Sequence, residues 1–282
     1  MAAASKPFRA PSMFVSHGAG PLPLFDEAWE SWRQSISKLS SKLDGARGII
    51  VISAHWETDE PSLTSSANPG LYYDYENRPK GLVLPQRVFE EKYPVVGNQE
   101  LAASIAQHLR SYGFNPILDE NRGLDHGVFV PLKAMRPQAD IPIVQLSLVK
   151  GSDEQEATDK NLKVGQALEH FRTLGYAVVG SGGSYHDFET AGKGLTEGAP
   201  IPAAADDFED YLVSVASIAD KNERVQALGN WRKESSSYVA HLEGHAEHFW
   251  PFLVAAGSGG NKPGKRVEFV KNFIGPMSFF EW

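Results

Sequence analysis

Four short, largely apolar runs rich in β-branched residues constrain the fold of this chain more than any other feature. They occupy residues 13–15, 49–52, 143–146 and 177–179 and are bounded by Gly, Pro or Ser. Runs of this kind are typical of strands buried on both faces, as in the centre of a sheet that helices cover. The sequence therefore predicts four central strands.

The stretches between these runs carry apolar residues at helical spacing. In residues 25–43, for instance, Trp32, Ile36 and Leu39 recur every three or four positions, as on the buried face of a helix. The same spacing predicts helices over residues 98–112, 159–174 and 206–228. Strands that alternate with helices predict an α/β fold with a central, mainly parallel mixed sheet covered by helices.

No repeat or linker divides the chain, so its 282 residues are predicted to form a single layered domain over 1–282. Residues 65–70 and 257–264 are predicted to be surface loops. The apolar runs are far shorter than the roughly 18 residues of a membrane span, and the first residues contain no apolar stretch typical of a secretory signal. We therefore expect a cytoplasmic protein with no membrane segment.

Charge and composition narrow the class of partner. Asp and Glu number 35 against 27 Lys and Arg, which leaves a net charge of −8, and no basic run favours nucleic acid or an anionic membrane. A small-molecule partner is therefore expected, with the chain as a monomer or a small homo-oligomer. Because the chain has no cysteine, any metal must be bound by His, Asp or Glu side chains.

Three of the nine histidines follow predicted strands. His17 comes after the first run, His55 after the second and His186 after the fourth. Sheets of this kind bind ligands beyond the carboxyl ends of their strands, so we expect these three side chains to meet in one crevice. His126 lies in a segment flanked by glycines, which allow backbone to approach a ligand closely.

The other histidines have different contexts. His245 and His248 are three residues apart, which places them on one face if the segment is helical. His108 and His170 lie on the polar faces of predicted helices and are expected at the surface. His241 is expected to be structural.

Neutral imidazoles without thiolates suit a divalent metal such as Fe(II) or Zn(II), with open positions left for a substrate and for water or oxygen. Catalysis then needs a group that moves a proton near neutral pH, and a further histidine is the obvious candidate. The residues alone therefore predict a metalloenzyme.

Five motifs around these histidines occur in the order found in a known family. They are Phe14-Val15-Ser16-His17-Gly18, Val51-Ile52-Ser53-Ala54-His55-Trp56-Glu57, Arg122-Gly123-Leu124-Asp125-His126-Gly127, Gly180-Ser181-Gly182 leading to His186, and Glu247-His248-Phe249. The chain resembles the class III extradiol ring-cleaving dioxygenases, specifically the DOPA 4,5-dioxygenase branch of the LigB-like superfamily. These motifs span nearly the whole chain.

The resemblance implies a non-haem Fe(II) site, or Zn(II), bound by His17, His55 and His248. It also implies that His186 acts as the acid–base group beside the metal or as an additional ligand. His126 would line the substrate pocket and donate a hydrogen bond.

The last motif departs from the family pattern, which usually contains a His-Pro-x-Pro-Glu-His stretch. His245 and Glu247 therefore stay as alternatives to His248 for the third ligand. Three further residues are expected at the substrate. Tyr185 would orient the base, Asp125 would fix His126 or cap a turn, and Tyr73 would form a wall against the ring or pack within its own loop.

The implied reaction opens the ring of a DOPA-like catechol with O2, by 4,5- or 2,3-cleavage. Two alternatives use the same histidines. One is a zinc-dependent hydrolase that activates water, and the other is a non-catalytic metal-binding relative.

Overall fold

A computed structural model of the chain describes residues 9–77, 84–197 and 200–282. The strands are β1 Ser12–Ser16, β2 Gly48–Thr58, β3 Ser62–Thr64, β4 Ile117–Asp119, β5 Ile143–Val149, β6 Tyr176–Gly182, β7 Lys265–Asn272 and β8 Gly275–Glu281. The α-helices are α1 Glu30–Ser37, α2 Gln99–Ser111, α3 His126–Met135, α4 Glu154–Thr173, α5 Phe188–Glu197, α6 Ala204–Ala216, α7 Lys221–Gly229, α8 Ser237–Ala240 and α9 Trp250–Gly257.

The strands form one eight-stranded sheet in the order β4-β3-β5-β2-β6-β1-β8-β7. Its centre is parallel, since β2 pairs with β5 and β6, and β6 pairs with β1, all in parallel. Antiparallel pairing joins β3 to β5, β1 to β8 and β7 to β8. The predicted mainly parallel mixed sheet is confirmed, and the four predicted strands are its four central ones.

Alternate residues of the central strands enter two separate cores. Ile50 and Ile52 of β2 pack in a core on the face covered by α2, α4 and α9. Ile49 and Val51 pack on the opposite face, with α1 and α3. Because strand side chains alternate between faces, a strand that is apolar at every position is buried on both sides, as the unbroken apolar runs indicate.

Two predicted helices are close to the observed ones. The prediction over residues 98–112 corresponds to α2, whose first turn is capped by the Asn98 side chain accepting from the Leu101 amide. The prediction over residues 159–174 corresponds to α4, which begins five residues earlier, at Glu154, after Asp153 caps it. An N-cap side chain satisfies an amide that has no partner within the helix, so these polar residues define where each helix begins.

The other two predicted helices are each divided. Residues 25–43 contain a 3-10 turn at Glu27–Trp29, then α1, then a second 3-10 turn at Ser40–Leu43. The single helix predicted over residues 206–228 is wrong, because α6 and α7 are separate. Asp220 accepts from the Asn222 and Glu223 amides and so starts α7 as a new helix.

The loop prediction over residues 65–70 agrees with the structure, which has no helix or strand there. The surface loop predicted over residues 257–264 is wrong in part, since residues 257–260 are buried. The Arg224 guanidinium holds this segment against the protein by donating to the carbonyls of Ala256, Gly260 and Lys262. Within the described residues, no helix is long and apolar enough to cross a membrane.

Glu209 of α6 is a carboxyl that leaves water on folding, with 2% of its surface exposed. It accepts a hydrogen bond from the Ser278 hydroxyl, and Arg266 Nη1 lies 3.6 Å from its Oε2. Burial raises the pKa of Glu209, and the hydroxyls of Ser184 and Ser278 offset only part of this effect. A buried acid of this kind costs stability when it is charged.

We expect Glu209→Gln to stabilise the protein more at pH 8 than at pH 5. A carboxyl whose pKa is raised by folding contributes stability that is complete below its ordinary pKa of about 4.5. That contribution is lost as the pH rises through the folded-state pKa. Glutamine carries no charge at either pH and removes the loss. Urea unfolding of both proteins at the two pH values tests this, and equal differences at both pH values would contradict it.

Candidate metal and acid–base site

The carboxyl ends of the central strands bring the strand-end histidines together. His17 directly follows β1, and its amide donates to the Gly182 carbonyl at the end of β6, at 2.9 Å. His55 lies within β2. Strand β6 lies between β1 and β2, and His186 follows β6 after a short loop. The crevice expected at this edge of the sheet is therefore present.

His248 reaches the same place without a helix. The chain at residues 241–249 forms turns, and α9 begins only at Trp250. His245 and His248 therefore do not share a helix face. His245 is exposed, whereas His248 is buried with 6% exposure.

A close backbone approach holds His248 beside the end of β6. The Gly183 amide donates to the His248 carbonyl at 3.0 Å. A Cβ atom at Gly182 would lie 2.1 Å from the same oxygen, closer than any side chain allows. Glycine at position 182 is thus required for the observed path of the chain.

Four imidazole rings, those of His17, His55, His126 and His248, lie close together. His17 Nε2 lies 3.1 Å from His55 Nε2. The rings of His126 and His248 have centroids 5.3 Å from that of His17, and 3.9 and 4.9 Å from that of His55. Among the described residues, two groups each have ligand atoms that lie within 4.8 Å of one another. One is His17, His55 and His126, and the other is His186, Glu247 and His248.

Hydrogen bonds on the outer nitrogens orient two of these rings. His17 Nδ1 lies 3.0 Å from Ser181 Oγ. The Ser181 hydroxyl donates to the Gly127 carbonyl, so it accepts from His17 Nδ1. His126 Nδ1 donates to Asp74 at 2.8 Å. Both rings therefore carry the proton on Nδ1 and a lone pair on Nε2.

Carboxylates lie beside the outer nitrogens of the other two rings. His248 Nδ1 lies 2.9 Å from Glu247 Oε1. His55 Nδ1 lies 3.6 Å from Asp74 Oδ2, which favours the proton on that nitrogen. Partners of this kind on the outer nitrogen are typical of histidines that bind a metal through Nε2.

The protonation states of the cluster suit a metal. Burial, and then the neighbouring imidazoles, lower the pKa of His17, His55 and His248 well below the ordinary value. Neutral imidazole is the form that binds metal. The lone pairs of two Nε2 atoms 3.1 Å apart repel unless a cation lies near both. This donor set therefore fits a divalent cation with nitrogen ligands.

His186 lies against this cluster. Its ring stacks on His248 with centroids 3.5 Å apart and planes 9° from parallel. Its Nδ1 is 3.7 Å from Glu247 Oε1. Burial lowers the pKa of His186 to about 4, so the ring is neutral at physiological pH and can accept a proton. A cavity beside it is lined by residues including His17, His186, His248, Tyr185, Ile274 and Met277.

The residues expected at the substrate differ in position. Tyr185 lines the cavity next to His186. The Tyr73 hydroxyl donates to the Glu91 carbonyl, and its ring packs on Phe129. Tyr73 therefore packs against neighbouring protein side chains and backbone. Asp125 is fully buried and does not line this cavity.

The Asp125 carboxylate has no exposed surface. It accepts from the Ser53 hydroxyl at 2.7 Å, from Gln145 Nε2 at 2.5 Å and from Arg122 at 3.2 Å. These three side chains take up its oxygens, and a contact between Asp125 and the substrate stays a prediction. Its imidazole neighbour in sequence, His126, is held by a different carboxylate.

That carboxylate is Asp74, which was not among the residues predicted for the site. It lies between Tyr73 and Tyr75, and its place in this aromatic loop is the only sequence signal that marked it. Burial raises the pKa of Asp74, but the hydrogen bonds and charge of His126 outweigh this and lower it overall. A charged carboxylate behind the ring fixes His126 and increases the basicity of its Nε2.

His108 and His170 lie on α2 and α4 and belong to neither ligand group. His170 is exposed and His108 is half-buried. The two rings stack on each other with centroids 4.9 Å apart, a contact between two helices that their separate patterns did not predict.

Comparison with known proteins agrees with this geometry. The model of a family described as the catalytic LigB subunit of aromatic ring-opening dioxygenase matches residues 10–279. The chain belongs to the LigB family. The resemblance seen in the motifs is thereby confirmed, and membership implies a small-molecule substrate and O2.

Several curated relatives of this LigB family chain carry dioxygenase names. "Dioxygenase tasH" of Hapsidospora irregularis is 37% identical over 266 residues, which is 88% of this chain and 78% of that protein. The "4,5-DOPA dioxygenase extradiol" of Beta vulgaris is 33% identical over 268 residues, or 93% and 90% of the two chains. A crystal structure of an uncharacterized Escherichia coli K12 protein matches with a TM-score of 0.74 and 25% identity, covering 97% of this chain and 99% of that one.

Proposed function

We propose that this LigB family member is an extradiol dioxygenase that opens the ring of a DOPA-like catechol at a non-haem Fe(II). The observation that carries the proposal is the convergence of four imidazole rings, in which the Nε2 atoms of His17 and His55 are only 3.1 Å apart. The names of relatives such as the Beta vulgaris protein support the DOPA-like substrate. The family match over residues 10–279 supports one catalytic domain over 1–282.

His17, His55 and His248 would bind the metal. The resemblance to the family favours this set over one that contains His126, and the donor atoms suit Fe(II) or Zn(II) alike. Fe(II) bound by these residues would supply the redox chemistry by which a catechol reacts with O2, which Zn(II) would not supply.

His186 is the proposed acid–base group. Its ring is neutral because burial lowers its pKa to about 4, so it can take a proton from a catechol hydroxyl on Nε2, the nitrogen that does not face Glu247. The same atom can return the proton when the ring opens. Glu247, 3.7 Å from Nδ1, would stabilise the imidazolium formed between these steps.

We assign His126, with Asp74 behind it, to the side of the substrate site opposite His186. With Nδ1 bound to Asp74, His126 keeps a fixed orientation. A proton on Nε2 would let this ring donate a hydrogen bond to a substrate oxygen. Tyr185, in the cavity wall beside His186, would restrict where the catechol ring can lie.

Measuring the metal content of matched variants identifies the third metal ligand. We expect His248→Ala to lose most of its metal and His126→Ala to retain it, because His126 is assigned to the substrate. Glu247→Gln should weaken metal binding by about 10- to 100-fold, as loss of an outer carboxylate typically does. Elemental analysis after dialysis against a weak chelator measures all three.

The reverse pattern has a definite meaning. Retained metal in His248→Ala with loss in His126→Ala would assign the third ligand to His126, whose ligand atom lies within 4.8 Å of those of His17 and His55. Retention in His248→Ala with complete loss in Glu247→Gln would assign it to the carboxylate.

The proposed reaction is tested by oxygen uptake. The protein is loaded with Fe(II) without air, mixed with L-DOPA or another catechol, and then exposed to O2. We expect one O2 consumed for each ring opened and a yellow product, whose structure separates 4,5- from 2,3-cleavage. The Zn(II)-loaded protein is the matched control. Stoichiometric Fe(II) binding without oxygen uptake for any catechol in the panel would contradict the proposal and favour a hydrolase or a non-catalytic metal-binding protein.

A further inference from the structure

His241 is a buried histidine outside both ligand groups. It has no exposed surface, and its ring packs among the rings of Phe208, Trp231 and Phe249, with centroids 5.3–6.1 Å away. Phenylalanine would fill such an apolar position without the cost of burying ring nitrogens. The presence of an imidazole here therefore requires a polar reason.

The polar contact of His241 is to the backbone of Ser184. Its Nε2 lies 3.2 Å from the Ser184 carbonyl oxygen. A carbonyl can only accept, so Nε2 carries the proton and donates. This tautomer is opposite to that of His17 and His126, whose outer hydrogen bonds place the proton on Nδ1.

Ser184 belongs to the loop that carries His186. The loop is held on one side by the Ser184 amide, which donates to Ser16 Oγ at 3.2 Å, and by Ser184 Oγ, which accepts from the Ser278 amide at 2.9 Å. On the other side, the His186 amide donates to the Ala240 carbonyl at 2.8 Å. The bond from His241 lies between these anchors, at the peptide unit that joins Ser184 to Tyr185.

We infer that His241 is a positioning residue that aims His186 at the substrate by fixing the Ser184–Tyr185 peptide unit. Rotation of that peptide unit would move the His186 side chain while the hydrogen bonds donated by the Ser184 and His186 amides stay intact. A displacement of about 1 Å in a catalytic group can cost on the order of 100-fold in rate. The inference rests on the proposed function, because it takes His186 as the acid–base group.

Three substitutions of His241 separate its hydrogen bond to the Ser184 carbonyl from its packing among the aromatic rings. His241→Phe keeps an aromatic ring in the apolar cluster and removes the donor. His241→Gln places an amide nitrogen where Nε2 lies, whereas His241→Asn is shorter by one methylene and does not reach Ser184. Trp231→Phe is the packing control, because Trp231 lies 6.1 Å from the His241 ring and donates to Thr158 instead.

In the Fe(II)-loaded full chain, we expect His241→Phe and His241→Asn to lower kcat by roughly 10- to 100-fold. Metal content and the KM for the catechol should stay unchanged. His241→Gln should recover to within a few-fold of the parent, and Trp231→Phe should leave kcat nearly unchanged. Equal losses in the Gln and Asn variants, or an equal loss in Trp231→Phe, would overturn the inference.

Hydrogen exchange gives a readout that does not depend on turnover. Mass spectrometry of peptides covering residues 183–187 should show faster exchange in His241→Phe and His241→Asn than in the parent, with His241→Gln protected. Unchanged exchange in the Phe and Asn variants would overturn the inference. If the parent opens no catechol but exchange follows the expected pattern, the proposed function is wrong. The conclusion that His241 fixes the loop at Ser184 is then still supported.

Discussion

His55→Ala is expected to lose its bound metal and its ring-opening activity together. His55 Nε2 lies 3.1 Å from His17 Nε2, and its ring is within 5 Å of both the His126 and the His248 rings. Alanine removes a nitrogen donor from this group of rings. The loss of affinity should exceed the roughly 10- to 100-fold that follows loss of a supporting hydrogen bond.

Elemental analysis and oxygen uptake on the same preparation measure both effects. The matched control is His170→Ala, which removes an exposed imidazole of α4 that belongs to neither ligand group. This control should retain both metal and activity. A His55→Ala protein with a full complement of metal would show that the ion lies elsewhere, for which the group of His186, Glu247 and His248 is the next candidate.

His186→Ala is expected to keep its metal and to lose about 10²- to 10⁴-fold in kcat, the usual contribution of a general acid–base group. The ring stacks on His248, and His186 lies outside the group of His17, His55 and His126. Removing it leaves the three proposed ligands, His17, His55 and His248, in the chain. The missing function is proton transfer to and from the catechol.

Metal content and oxygen-uptake kinetics together distinguish an acid–base group from a metal ligand. Retained Fe(II) with a large loss of kcat and little change in KM supports the acid–base assignment. Loss of Fe(II) in His186→Ala would instead make His186 an additional ligand. His186→Gln is the companion variant, because it keeps a polar side chain of similar length but cannot shuttle a proton, and it should be as slow as the alanine variant.

The central sheet could be predicted because its strands are buried on both faces. A run such as residues 49–52 has apolar residues at every position, and the structure places alternate members in the two cores. The edge strands gave no such signal. β3 and β4 have three residues each, and β7 is largely exposed on its outer face, so neither length nor apolar content distinguishes them from loops.

The meeting of His17, His55 and His186 could also be predicted, because parallel strands end at the same edge of a sheet. The partners behind the rings could not. Asp74 binds His126 across 52 residues of sequence, and nothing local to either residue indicates the contact. The tautomer of each ring depends on such partners, so it was decided by packing.

The sequence by itself determined an α/β fold, a cysteine-free donor set and a family, because local apolar periodicity and a few motifs are enough to specify them. The tertiary structure decided which oxygen lies behind each imidazole, that Asp125 is buried beneath the site, and that His241 reaches the loop of His186. Those features depend on distances between residues far apart in the chain, and such distances are set only when the two cores pack around the sheet.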